Sequence, residues 1–272
     1  ILVEHNNNKV LCDPWLSEDA LYGSWSHFPP LTVKPEDFKN VDYIYVTHIH
    51  QDHCDVSSLQ KFPKDIPILL AAFKQKFLSA CLKRVGFTNI IEVNWGDKYK
   101  LEDDFYVEIY PSDPQCDSMG IDSFALFSSS EHLVGNFNDC PYSLIEKYVD
   151  DILKDRKLDF LFIPYAGAGP YPQCFVNLNE KEKAKEAAAK KQKFYNQAYD
   201  YLMKLKPKFF MPFAGQYTLG GHLYNLNKFR GVPNIEEASD HLQNYVENIN
   251  LDSKIVRMSR GGEFDLTKER VI

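Results

Sequence analysis

The chain has 272 residues, 44% of them hydrophobic and 25% charged, which excludes a disordered polymer and leaves ample length for a buried core. Its net charge of −7 argues against a nucleic-acid binder, which usually carries a basic face. No signal peptide is visible, and no apolar run approaches the ~20 residues of a membrane span.

Apolar and helical patterns alternate along the chain. Val41–Val46 and Ile66–Ala71 read as buried strands, and Phe73–Arg84 as a helix stopped by Gly86. Phe105–Tyr110, Phe124–Phe127 and His132–Asn136 read as short strands, Ser143–Leu153 as a helix, and Leu158–Ile163 as a strand ending at Pro164. Glu180–Leu205 is the clearest helix, with Ala187, Phe194, Tyr195, Ala198 and Leu202 at helical spacing. Its Lys/Glu run, with Glu186 and Lys190 four apart, reads as a solvated face. Pro207 stops that helix. Lys208–Phe213 follows as a strand, Ile235–Asn248 as a helix and Lys254–Met258 as a last strand. There is no internal repeat or linker, so residues 1–272 read as one domain of sheets covered by helices.

Cysteines stand at 12, 54, 81, 116, 140 and 174, with no C-x-x-C pair. A chain this long does not need disulfides, so free thiols in a reducing, cytoplasmic setting are expected.

The chemistry concentrates after the first buried strand. His48, His50 and His53 fall within six residues, with Asp52 among them. In extended chain, residues two apart point the same way, so His48 and His50 can aim both imidazoles at one ion. Asp52 and His53 follow where the chain turns and can face a second ion. Imidazole with carboxylate suits zinc, iron or manganese, and the ligand types alone do not choose among them. A lone histidine after a strand would read as a packed core residue. Four such groups together read as a metal site.

His48-x-His50-x-Asp52-His53 resembles the signature of the metallo-β-lactamase superfamily. The resemblance implies a four-layer αββα sandwich with metal at one edge, in the α/β (α+β) class. It makes Asp13, in Asp13-Pro14-Trp15, a structural aspartate below the site. It makes Asp139, in Asn138-Asp139-Cys140, the carboxylate that can bridge two metals; the alternative for Asp139 is a turn-capping role. The implied cofactor is one or two zinc ions, or iron. Asp52 is then both a ligand and the catalytic proton shuttle.

Two further histidines of the family pattern are missing. One place reads Tyr110-Pro111-Ser112-Asp113, where Asp113 is either a substitute or a turn start. The other reads Pro212-Phe213-Ala214-Gly215. His222 lies nearby and is a candidate metal ligand, substrate-binding residue or plain surface residue. Within the superfamily, Asp13-Pro14-Trp15-Leu16, Thr47–Asp55, Tyr165-Ala166-Gly167-Ala168 and Pro212–Gly215 resemble the β-lactamase-like domain of the CMP-N-acetylneuraminic acid hydroxylase group. That group also uses a Rieske module, which needs Cys-x-His and Cys-x-x-His pairs. Neither occurs in these 272 residues.

Three functional expectations follow. The first is a hydrolase that uses metal-bound hydroxide on a small polar, sugar- or nucleotide-linked substrate. The second is an iron-dependent oxygenase, or its partner, acting on a sugar. The third is a non-catalytic metal-binding module. Trp25, Tyr217, Tyr224 and Arg230 suit a sugar or nucleotide, although such residues more often serve packing.

Overall fold

The computed structural model describes residues 1–113, 122–259 and 261–272; Cys116 lies outside the described residues. The chain divides into two compact units, Ile1–Glu131 and His132–Ile272.

The first unit opens with a hairpin, β1 (Leu2–His5) and β2 (Asn8–Cys12), which the apolar pattern alone did not reveal. A small hairpin, β3 (Asp19–Ala20) with β4 (Trp25–Ser26), follows. Strands β5 (Tyr43–Tyr45), β6 (Ile68–Ala71) and β7 (Ile90–Val93) then add to β2 in parallel, giving the order β1-β2-β5-β6-β7. β6 is buried at all four positions, as its unbroken apolar run requires of a strand covered on both faces. Strands β8 (Tyr99–Glu102), β9 (Phe105–Pro111) and β10 (Ser123–Ser128) pair antiparallel.

Within this unit the two sets of strands face each other. Tyr43 Oη donates to the Leu101 carbonyl at 2.9 Å, and the Tyr45 ring meets Phe127 edge-on at 6.3 Å. Helix α1 (Val56–Leu59) is capped by Asp55, which accepts from the Ser57 and Ser58 amides. Helix α2 (Phe77–Val85) ends at Gly86, whose φ of 107° is the left-handed stop expected of glycine there.

The second unit is a parallel set, β11 (Leu133–Asn136), β12 (Phe160–Pro164), β13 (Phe209–Phe213) and β14 (Lys254–Ile255). The stretch expected as one helix over 143–153 is two, α3 (Tyr142–Ile145) and α4 (Val149–Leu153). The Tyr148 amide bonds the Ile145 carbonyl in a tight turn between them, so the helical ladder restarts rather than continues. Helix α5 (Glu180–Leu205) has the expected bounds, because the Asn179 and Glu182 side chains form a reciprocal capping box. Helix α6 (Ile235–Asn248) starts under the Asn234 cap, also as expected. β14 is shorter than the expected strand and leaves the sheet after one further bond, Val256 N–H to Phe210 O at 2.8 Å. A hairpin of β15 (Phe264–Asp265) and β16 (Arg270–Val271) lays Phe264 on Phe160 and Phe209, at centroid distances of 5.2 and 4.9 Å.

The five described cysteines are free thiols. Among the described residues no helix is long and apolar enough to cross a membrane.

Candidate metal centre

The histidine motif leaves the C-terminal end of β5, the edge of a parallel sheet where ligand sites gather. Its first element is a carboxylate from the neighbouring strand. β2 pairs with β5, and Asp13 follows β2 directly with φ of 46°, a left-handed conformation that aspartate tolerates better than most residues. The Asp13 amide bonds the Tyr45 carbonyl at 2.9 Å. Its side chain then grips the motif three times. Thr47 N–H donates to Oδ1 at 2.8 Å, Thr47 Oγ1 donates to Oδ2 at 2.8 Å, and His53 Nδ1 lies 2.9 Å from Oδ2.

These bonds settle which histidine nitrogens face outward. Because the Thr47 hydroxyl gives its proton to Asp13, it accepts from His48 Nδ1, 2.9 Å away. His48 therefore presents Nε2 as a lone pair. His53 gives its Nδ1 proton to Asp13, and its Nε2 is likewise a lone pair, 3.7 Å from Asp52 Oδ2. Thr47 and His48 are fully buried and His53 nearly so, so water cannot make up for a lost partner. The loop after the motif is closed by its own backbone, with the His53 and Cys54 amides bonding the His50 carbonyl at 3.0 and 2.7 Å. Asp55 is taken up in capping α1. Ser58, which it holds, accepts the Leu16 amide at 2.8 Å and ties down the segment after Asp13. Cys54 stays a neutral thiol: the hydrogen-bonded Cys81 thiol, then burial, push its pKa up.

The lone pair of His48 Nε2 meets His50 Nδ1 at 2.9 Å and Asp122 Oδ1 at 3.5 Å. One ligand atom from each of His48, His50 and Asp122 falls within 4.8 Å of the others. Two imidazole bases and a carboxylate converging in this way, around a fully buried His48, make a donor set suited to a divalent cation. A second observation agrees. The Ser112 hydroxyl is buried and has no hydrogen-bond partner among the described residues, while its amide bonds the Asp122 carbonyl at 2.9 Å.

Asp122 was not singled out from the sequence. Ser112 and Asp113 mark the place where the family's third histidine is missing, and the carboxylate beside His48 comes from the strand paired opposite. Ser123, the next residue, locks it in place: its hydroxyl donates to the Thr47 carbonyl at 2.6 Å and accepts from Tyr45 Oη at 2.8 Å. The usable signal was an aspartate directly before a buried strand, opposite the vacant position in a two-strand pair.

The remaining expected residues lie in the second unit. Asp139 sits in the turn after β11, where Asn138 has φ of 42° and the Cys140 amide bonds the Phe137 carbonyl at 2.9 Å. His222 is exposed, in a short 3₁₀ segment, Gly221–Phe229.

Residues 8–117 match the family model described as a beta-lactamase superfamily domain. The chain is 30% identical over 241 residues to a Mycolicibacterium smegmatis protein that carries the name Rieske 2Fe-2S iron-sulfur protein, covering 85% of this chain and 45% of that one. It is 26% identical to the cytidine monophosphate-N-acetylneuraminic acid hydroxylase of Danio rerio, covering 77% of this chain and 35% of that one. The chain thus spans less than half the length of these relatives. Among solved structures it is similar to an isothiocyanate hydrolase from Delia radicum gut bacteria, with a TM-score of 0.57, 18% identity and coverage of 94% and 91%. It is also similar to CmlA, a diiron beta-hydroxylase from Streptomyces venezuelae, with a TM-score of 0.53, 17% identity and coverage of 94% and 51%. The fold is that of the metallo-β-lactamases, and the resemblance to the hydroxylase group read from the short motifs is borne out.

Proposed function

We propose that this chain, a β-lactamase superfamily domain over residues 8–117, is the metal-bearing part of an iron-dependent oxygenase acting on a small polar, sugar- or nucleotide-linked substrate. The observation that carries this reading is Asp122. Two histidines and one carboxylate are the donor set of non-haem iron oxygenases, whereas the zinc hydrolases of this fold use neutral histidine in the third place. Bound iron would supply the one-electron and O₂ chemistry that side chains lack. Hydroxylation consumes O₂, two electrons and two protons, leaving one oxygen on the substrate and one in water. The relatives' names, hydroxylase and Rieske protein, support the reading, and the electrons would come from a Rieske-type donor.

The chain's own residues have distinct tasks here. His48 and His50 would hold the metal, their Nε2 and Nδ1 being 2.9 Å apart. Asp122 would supply the negative charge that favours a hard, oxidisable ion. Asp13 and Thr47 fix the imidazole tautomers. Asp52 and His53 would be ligands of a second ion if one binds, and Asp139 is the further carboxylate ligand that the family resemblance implies. Asp52, 32% exposed in its side chain, is the proton carrier between site and solvent. His222 is kept as a substrate contact.

Hydrolysis is the second reading, supported by the named hydrolase among the fold neighbours. The test loads the protein with iron or zinc in parallel. Oxygen uptake with an electron donor and sugar nucleotides is measured beside hydrolysis of a panel of esters and lactones. Donor-dependent oxygen uptake by the iron form, lost in Asp122→Asn, supports the oxygenase. Hydrolysis by the zinc form with no oxygen uptake by the iron form overturns it in favour of the hydrolase.

A further inference from the structure

Helices α5 and α6 meet in a seam of four nearly parallel rings that the metal site does not use. α5 contributes Tyr195 and Tyr199, and α6 contributes His241 and Tyr245, each pair four residues apart and so on one face of its helix. The His241 ring stacks on Tyr195, with centroids 3.8 Å apart and planes 18° apart. Tyr199 stacks on Tyr245 at 3.7 Å and 16°. Tyr199 and His241 join the two stacks. Their rings lie 5.8 Å apart and 20° from parallel, and Tyr199 Oη hydrogen-bonds His241 Nε2. The order along the seam is Tyr195, His241, Tyr199, Tyr245, all within the second unit.

Packing alone does not call for this composition. Phenylalanines would fill the same seam without a phenol and an imidazole to satisfy. Burial holds the Tyr199 phenol above its ordinary pKa, so it keeps its proton and donates. Burial lowers the His241 pKa, so the imidazole is neutral, with Nε2 accepting and Nδ1 carrying the proton. Glu237, one turn earlier on α6, opposes that shift, and its carboxylate stabilises any positive charge that forms on the ring. Glu237 is itself held by Lys191 Nζ at 2.7 Å. A phenol that donates to a neutral base is the arrangement that one-electron oxidation of tyrosine requires. Loss of an electron makes the phenol strongly acidic, and its proton needs an acceptor already in place.

We propose that Tyr199 is a redox-active tyrosine with His241 as its proton acceptor. A one-electron oxidant takes an electron from the Tyr199 phenol, the Oη–H bond breaks, and the proton moves to His241 Nε2. The products are a neutral Tyr199 phenoxyl radical, a His241 imidazolium beside Glu237, and the oxidant reduced by one electron. Return of one electron and the same proton restores the pair. The oxidant is a high-potential one-electron acceptor, the class that arises where iron meets dioxygen. The pair takes up such an oxidising equivalent whichever metal the first unit holds. Tyr245, stacked on Tyr199, is the next ring to which it can pass.

The test uses the full chain, stripped of metal so that the metal centre contributes no signal, at about pH 8, above the ordinary imidazole range. The oxidant is photogenerated ruthenium(III) tris-bipyridine, with persulfate as electron acceptor. Radical formation is followed by electron paramagnetic resonance on freeze-quenched samples. The chain has 16 tyrosines, so the signal is assigned by substitution. Wild type should form a tyrosyl radical quickly, and more slowly in D₂O because a proton moves with the electron. Tyr199→Phe, which keeps the stacked ring, should lose that fast phase. His241→Gln keeps a hydrogen-bond acceptor that takes up no proton. A positioned base typically contributes about a hundredfold or more to a rate, so radical formation in this variant should slow by about that factor. Tyr245→Phe leaves the Tyr199–His241 bond in place and should keep the fast phase, which separates loss of the base from disturbance of the stack. An unchanged fast phase in Tyr199→Phe, a wild-type rate in His241→Gln, or loss of the fast phase in Tyr245→Phe equal to that in His241→Gln overturns the proposal.

Discussion

Thr47 offers a sharp test of how the metal centre is held. Thr47→Val keeps the shape of the side chain and the backbone bond from residue 47 to Asp13 Oδ1, but removes the hydroxyl. Two short contacts go with it, 2.8 Å to Asp13 Oδ2 and 2.9 Å to His48 Nδ1, at a residue with no exposed surface. His48 Nδ1–H is then buried without an acceptor, and its tautomer is no longer fixed. A lost hydrogen bond to a charged group costs about 1.5–3 kcal/mol, and loss of the partner behind a metal-binding histidine typically weakens metal affinity about 10- to 100-fold. Urea denaturation of the metal-free protein reads the first quantity, and competition against a coloured chelator reads the second. Thr47→Ser restores the hydroxyl and should recover most of both. The reasoning is refuted if Thr47→Val binds metal within twofold of wild type, or if Thr47→Ser is as impaired as Thr47→Val.

Other consequences follow from particular positions. Gly215→Ala should destabilise the second unit by about 2 kcal/mol or more, since φ of 109° is strained for alanine and the new Cβ meets Ala166 at 2.7 Å; urea melts of wild type and variant would show it. The Cys54 thiol, with help from Arg84, lowers the Cys81 pKa to about 6, so Cys81 should be alkylated by iodoacetamide already near pH 6.5, and more slowly in Cys54→Ala, as peptide mass spectrometry would reveal. His241, stacked on Tyr195 at 3.8 Å, has its pKa lowered by burial. The folded state therefore binds fewer protons than the unfolded one as pH drops toward and below the ordinary imidazole value. The stability contributed by neutral His241 is present above that value and lost as pH falls through the folded pKa. A smaller loss of stability between pH 7 and pH 5 in His241→Gln than in wild type is the expected outcome.

The parts of this molecule that could be read from residues alone share a physical cause. α5 and α6 were legible to the residue because local bonds start them: the Asn179 and Asn234 side chains accept the amides of Glu182 and Glu237. His48, His50, Asp52 and His53 were legible because polar groups crowded after an apolar strand have no packing reason to be there. Asp122 was not, because what brings it to His48 is a cross-strand bond to Ser112 and a hydroxyl bond from Ser123 to Thr47, contacts between residues far apart in sequence. The break between α3 and α4 was hidden for a similar reason. The apolar spacing of Ile145, Val149, Ile152 and Leu153 suits one helix, and only the tight turn at Tyr148 divides it. The N-terminal hairpin carries polar residues at its turn, and the left-handed Asn6 and Asn7 there were the missed signal.

The central claim is that His48, His50 and Asp122 hold an iron ion. Metal content by plasma mass spectrometry, on protein purified without added metal, tests it most directly. Wild type should carry at least one iron per chain, with the content falling sharply in both His48→Ala and Asp122→Asn while circular dichroism stays unchanged. A wild-type protein without bound metal, or variants that retain the wild-type content, would contradict it.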